Sequence, residues 1–205
     1  VSGVADAGRG ARVRIGLYGG TFDPVHLGHL RAAETAREAF RLDLVAFLPA
    51  AVPPHREAPV SPAEDRLAMA RLATAAHPRF EAWDAELRRP GPSYTVETVS
   101  TLVSERPSDS FVLVVGADTW PEMATWREPE RLLRLVEVAV VDRPGVAGGE
   151  LRLPFPGARG VRRAEGPSLP ISATAIRERV ARGLSVRFLV PDAVADYIEA
   201  RRLYP

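Results

Sequence analysis

Val13-Arg14-Ile15-Gly16-Leu17-Tyr18-Gly19-Gly20-Thr21-Phe22-Asp23-Pro24-Val25-His26-Leu27-Gly28-His29 sets an apolar run directly against a glycine-rich turn and closes with two histidines at spacing three. A strand, a turn and the start of a helix are the natural reading. Glycines where a strand ends let the backbone approach a ligand and take up positive φ, and the helix that follows can aim its first N–H groups at an anion. Histidines then add charge or protons at that anion. The stretch lacks the Gly-Lys-Ser or Gly-Lys-Thr of a Walker loop and the spaced triple glycine of dinucleotide-binding folds. It is a phosphate-handling turn of another kind.

Outward from this stretch, strands and helices alternate. Leu27 to Phe40 reads as helix and Leu42 to Leu48 as a short buried parallel strand, which completes a βαβ unit. Pro49 to Pro59 breaks the pattern. Ser61-Pro62-Ala63-Glu64 then opens a helix with a capping residue, Pro at the first position and an early acid, running to about Ala76. Phe80 to Glu86 is a candidate strand, Arg88 to Pro92 a loop, and Val96, Val99 and Val103 share one helical face. Phe111 to Val115 is a strand ending in Gly116-Ala117-Asp118. Val136 to Val141 is another, followed by a Gly and Pro loop to about Gly160. Ile171-Ser172-Ala173-Thr174 opens a helix with Ile176, Val180 and Leu184 at spacing four, and Pro191 to Arg201 forms the last helix.

This alternation predicts an α/β fold: a Rossmann-like, doubly wound, mostly parallel sheet with helices on both faces. We expect a flexible tail at 1–11 and a single domain over 12–205. Ligands of such sheets bind beyond the carboxyl ends of the strands, near the switch in strand order. The segments 19–29, 49–56 and 116–118 should therefore converge.

Composition limits what that site can be. The chain has 205 residues, of which 46% are hydrophobic and 26% charged, enough for a sizeable core. A net charge of +1 gives no bulk attraction to nucleic acid or to an anionic membrane, so anion recognition must be local. The absence of cysteine removes disulfides, thiolate nucleophiles and thiolate metal sites, and neither a long apolar span nor a signal-peptide pattern is present. A cytoplasmic location is expected, with no nucleic-acid or membrane partner. Lys, Asn and Gln are also missing, which fits a GC-rich coding bias better than heat adaptation, where Lys is usually gained, and makes Arg the available cation.

His26 and His29 can face one ligand from a helix start. A zinc site would need a third ligand, and nothing at helical spacing supplies one. Donating to phosphate oxygens, two imidazoles can stabilise the charge of a phosphoryl transition state. Thr21 would contact phosphate, Phe22 suits either core or pocket, and Asp23 before Pro24 is a turn former. Ser172 and Thr174 suit N-capping. Arg177, one turn on, can reach an anion at the same helix end or lie in solvent.

Gly19 to His29 together with Ile171 to Arg177 resembles the two signatures of the nucleotidyltransferase superfamily with the His-x-Gly-His motif. Within it, Pro53-Pro54-His55-Arg56, Gly91 to Thr95, Gly116-Ala117-Asp118 and Trp126 follow in the order found in bacterial nicotinate-nucleotide adenylyltransferases. The resemblance runs from about Val13 to Tyr204. It implies transfer of the adenylyl group of ATP to nicotinate mononucleotide, with pyrophosphate released and no covalent enzyme intermediate. It also implies that His26, His29 and Arg177 are catalytic. ATP would be bound by Gly19, Gly20, Thr21, Phe22, His26, His29, Ser172 and Arg177, with Mg²⁺ carried mainly on its phosphates. Trp126 would stack on the nicotinate ring, Thr95 and nearby backbone groups would read its carboxylate, Ser93 and Tyr94 would also bind the mononucleotide, Asp118 would lie near a ribose and Arg56 near a phosphate. Arg127 departs from the family, where an aromatic is common, and the 145–160 loop aligns poorly. An acceptor such as nicotinamide mononucleotide or pantetheine phosphate, or a non-catalytic adenine-nucleotide sensor, are the alternatives. A homo-oligomer is compatible with all of them.

Overall fold

The computed structural model describes residues 12–53, 59–142, 145, 151 and 155–205; the expected tail at 1–11 lies outside them. Among the described residues six strands form one sheet: β1 (Arg14–Gly20), β2 (Leu44–Pro49), β3 (Phe80–Ala82), β4 (Ser110–Gly116), β5 (Glu137–Val141) and β6 (Val161–Ala164). Their spatial order is β3-β2-β1-β4-β5-β6, and every pairing is parallel. The helices are α1 (Leu27–Phe40), α2 (Ala63–Thr74), α3 (Thr95–Glu105), α4 (Pro129–Leu135), α5 (Ala173–Ala181) and α6 (Asp192–Arg201), with a 3-10 turn at Trp120–Thr125.

Strand alternation divides the core into two layers. Tyr18, Val45, Phe47, Val112, Val114, Ala139 and Val141 point to the face covered by α1, α2, α5 and α6. Ile15, Leu17, Ala46, Leu48, Leu113, Val115, Val138 and Val140 point to the face covered by α3 and α4. The central strands are apolar on both sides because both sides are covered. From β1 the chain builds outward to β3, then returns to place β4 on the other side of β1. The switch in strand order therefore falls between β1 and β4, whose carboxyl ends are Gly19-Gly20 and Gly116.

Several boundaries differ from the sequence reading. The run from Phe80 forms strand only to Ala82: the Trp83 N–H makes the last bond to β2, at Phe47 O, and the chain then turns, with Arg88 N–H on Asp84 O. Helix α5 stops at Ala181, since Gly183 takes φ +66°, and Leu184 is left 41% exposed instead of on the helical face. Ser61 is not a cap: Pro62 holds the cap position without a side-chain bond, and the Ser61 hydroxyl donates to the Asp23 carboxylate. Among the described residues no helix is long and apolar enough to cross a membrane.

Candidate active site

A cavity of ≈ 630 Å³ opens at the switch point, between the ends of β1 and β4 and the starts of α1, α3 and α5. On one side it is lined by Gly19, Gly20, Thr21, Phe22, His26 and His29, with Ser172 and Arg177 from α5. Ser93, Tyr94, Thr95, Asp118 and Trp126 line the other. Every described residue singled out from the sequence thus borders the same space, and Arg56 lies outside the described residues.

The histidines are held by an unusual cap. His26 is the N-cap of α1, and its Nδ1 accepts the His29 backbone N–H at 3.3 Å, while His29 Nδ1 accepts the His26 backbone N–H at 3.2 Å. This is the reciprocal geometry of a capping box, made with two imidazoles. Their rings stack with centroids 3.6 Å apart and planes at 23°. Because each Nδ1 accepts, each neutral ring carries its proton on Nε2 and is a donor there. Leu27 N–H is also taken, by Leu189 O at 2.9 Å. Two of the first three N–H groups of α1, those of Leu27 and His29, are therefore bonded within the protein.

The glycines of the turn work differently from the expectation. None of Gly16, Gly19, Gly20 or Gly28 has positive φ; Phe22 takes it instead, at +52°. Space is what these glycines supply. A Cβ at Gly28 would sit 2.9 Å from His26 Nδ1, and one at Gly20 would sit 2.9 Å from the Phe22 ring. A Cβ at Gly19 would meet nothing within 4 Å, so there the bare backbone borders the cavity. Phe22 is both core and pocket wall, being 2% exposed and edge-on to His29 at 5.0 Å.

Asp23 does more than form a turn. Its Oδ2 accepts the Val60 N–H at 2.7 Å, and its Oδ1 accepts the Tyr204 hydroxyl at 2.7 Å and the Ser61 hydroxyl. Burial pushes the Tyr204 phenol well up, so it stays a donor. Arg177 donates to the Asp23 carbonyl at 2.8 Å and to Thr174 Oγ1 at 3.2 Å, which ties α5 to the same turn. Ser172 caps α5 by accepting the Ala175 N–H at 3.2 Å. Arg66, 1% exposed, donates to the carbonyls of Ser61, Thr21 and Ala51 at 3.2, 2.9 and 3.2 Å and so clasps the loop after β1 to both ends of the loop after β2.

On the other side Ser93 Oγ accepts the Ala51 N–H at 2.9 Å. The Arg127 guanidinium lies 4.5 Å from the Tyr94 ring centroid and 3.7 Å from Glu97, so a planar cation stands beside the turn that opens α3. Glu86 also lines the cavity, and burial pushes its carboxyl up to about 7 against the opposing pull of Thr98, Ser93 and Arg89. Sequence reasoning missed Glu86 and Arg66, since neither sits in a motif and only the fold brings them inward. Among the described residues no group of three His, Cys, Asp or Glu side chains gathers to hold a metal.

Comparison with known proteins agrees with this geometry. The cytidylyltransferase-like family model matches residues 17–179. A protein of Thermus thermophilus named "Probable nicotinate-nucleotide adenylyltransferase" is 47% identical over 192 residues, covering 94% of this chain and 100% of its own. One of the same name from Geobacillus kaustophilus is 42% identical, covering 93% and 86%. The nicotinic acid mononucleotide adenylyltransferase of Plasmodium falciparum, solved with NaAD, shares the fold with a TM-score of 0.76, at 16% identity over 94% of this chain and 98% of its own. Cavity, motifs and relatives together place the chain in the cytidylyltransferase-like family, among the nicotinate-nucleotide adenylyltransferases.

Proposed function

We propose that the cavity joins ATP and nicotinate mononucleotide to give nicotinate adenine dinucleotide and pyrophosphate. The observation that carries this is the stacked His26–His29 pair, fixed as Nε2 donors at the strand-order switch, with the Ser93 to Thr95 turn and Trp126 across the same space. The acceptor phosphate is largely a dianion at neutral pH, so it attacks the α-phosphorus without first losing a proton. A bond forms from its oxygen to that phosphorus, and the bond to the bridging oxygen of pyrophosphate breaks. Such a step needs positioning and charge stabilisation and no general base.

His26 and His29 donate to the phosphate oxygens where charge grows. Arg177, oriented by the Asp23 carbonyl, offsets the triphosphate. Gly19 and Gly20 give the phosphates room, Thr21 and Ser172 border them, and Phe22 backs His29. Trp126 stacks on the pyridine ring, Ser93, Tyr94 and Thr95 form the acceptor turn, and Asp118 borders a ribose. Arg56 is assigned to a phosphate by resemblance alone. Asp23 is buried in its own hydrogen bonds, which fits Mg²⁺ carried in on ATP oxygens and water rather than on a carboxylate cluster. Bound there, Mg²⁺ neutralises the phosphate charge.

A pyrophosphate-release assay with ATP, Mg²⁺ and a panel of acceptor mononucleotides tests this reading. We expect release with nicotinate mononucleotide at a higher kcat/KM than with nicotinamide mononucleotide. Equal or higher efficiency with the amide would reject the acid preference, and no release with any acceptor would favour a sensor that binds adenine nucleotide only.

A further inference from the structure

Glu86 lies in the connection between β3 and α3 and is 6% exposed. Thr98 Oγ1, in the first turns of α3, donates to Glu86 Oε1 at 3.0 Å, and the Ser93 hydroxyl also reaches the carboxyl. Ser93 Oγ holds the Ala51 N–H, and Arg89 donates to Thr98 Oγ1 at 3.2 Å. One carboxyl therefore secures both hydroxyls at the start of α3, inside the half of the cavity assigned to the acceptor.

We propose that Glu86 is a selectivity residue for the acceptor: its charged carboxyl opposes an anionic pyridine ring in the same cavity, and its neutral carboxyl admits one. The proposal rests on the reading of the acceptor as nicotinate mononucleotide. Two carboxylates facing one cavity repel, so one binds a proton as the other enters. An amide ring brings no such charge. Burial already brings Glu86 to titrate at about 7, where a modest change of pH decides its state.

The groups around it bear on the outcome. Arg89 comes from its own connection, and Ser93, Tyr94 and Thr98 from the start of α3. Glu97 lies 3.6 Å from Arg89 and 3.7 Å from Arg127, which offset its charge. Asp118 and Glu122 border the cavity near β4, and His26 and His29 border its phosphate half. The titrating phosphate is common to both mononucleotides, so the ratio of the two efficiencies isolates the charge on the ring. These neighbours also act on that charge, and Glu86→Gln, which leaves them in place, separates the part that belongs to Glu86.

The test measures kcat/KM for nicotinate and nicotinamide mononucleotides across pH, with saturating ATP and Mg²⁺, on the whole chain and on Glu86→Gln. Where the amide turns over too slowly, its inhibition constant against the acid replaces its efficiency. One linked proton predicts that the acid-to-amide ratio falls about tenfold from about pH 6 to about pH 8. In Glu86→Gln, which retains an acceptor oxygen for the hydroxyls, the ratio should stay level. A level ratio in the unmodified chain would overturn the proposal by itself, even if the variant failed to fold. The same decline in Glu86→Gln would overturn it too. No pyrophosphate release with nicotinate mononucleotide at any pH would instead overturn the acceptor reading, and the proposal with it.

Discussion

His29 is both a candidate donor to phosphate and one half of the α1 cap, and these roles differ in scale. We predict that His29→Ala lowers kcat by about 10²-fold or more, the usual loss for a transition-state donor. The lost cap should cost only about 1 kcal/mol, seen as a small drop in denaturant midpoint. Full turnover would remove His29 from the mechanism. The glycines separate in the same way. Gly28→Ala forces a methyl against His26 and should cost about 1–3 kcal/mol while disturbing the stacked pair. Gly19→Ala meets no protein atom, so it should leave the melting temperature unchanged and raise KM for ATP. An unchanged KM would show that ATP does not approach the backbone there.

At the scale of elements, Arg66 joins α2 to the loops after β1 and β2. Arg66→Met should leave three carbonyls unpartnered and cost about 3 kcal/mol, read from chemical denaturation. An effect of a few tenths would mean that the loops hold without it. The sequence displayed the strands that carry long apolar runs and the helix after the first turn, because burial on both faces leaves a local trace. It did not display β6 (Val161-Arg162-Arg163-Ala164). There Arg163 pairs with Asp142 and Arg162 lies 4.2 Å from the Phe40 ring centroid, and such partners exist only in the fold. Helix α4, at seven residues, is too short for a periodic pattern to show. The glycines and histidines that border the cavity after β1 were legible in the sequence as a turn leading into a helix. Glu86 was not, since nothing near it in sequence marks a carboxyl that the sheet draws inward.

For the whole molecule, the buried Glu86 links stability to pH. Its carboxyl titrates at about 7 in the fold against 4.5 ordinarily, so between those values the native state holds a proton that the unfolded chain has lost. Stability from this group is therefore full below about pH 4.5 and declines as pH rises, by about 3 kcal/mol once pH passes 7. We predict that Glu86→Gln gains on the unmodified chain between pH 5 and pH 8 in denaturant unfolding; parallel pH profiles would contradict the burial argument. The Asp23–Tyr204 hydrogen bond carries a consequence of another kind, one of timing, because it closes a separation of 181 positions. During synthesis β1 and its turn emerge early and Val60, Ser61 and Arg66 can bond it soon after, yet the bonds from Arg177 and Tyr204 must wait until those residues have cleared the ribosome. A nascent chain can thus begin its sheet while the turn after β1 still lacks its last two partners, and the cavity wall that the turn forms is completed late.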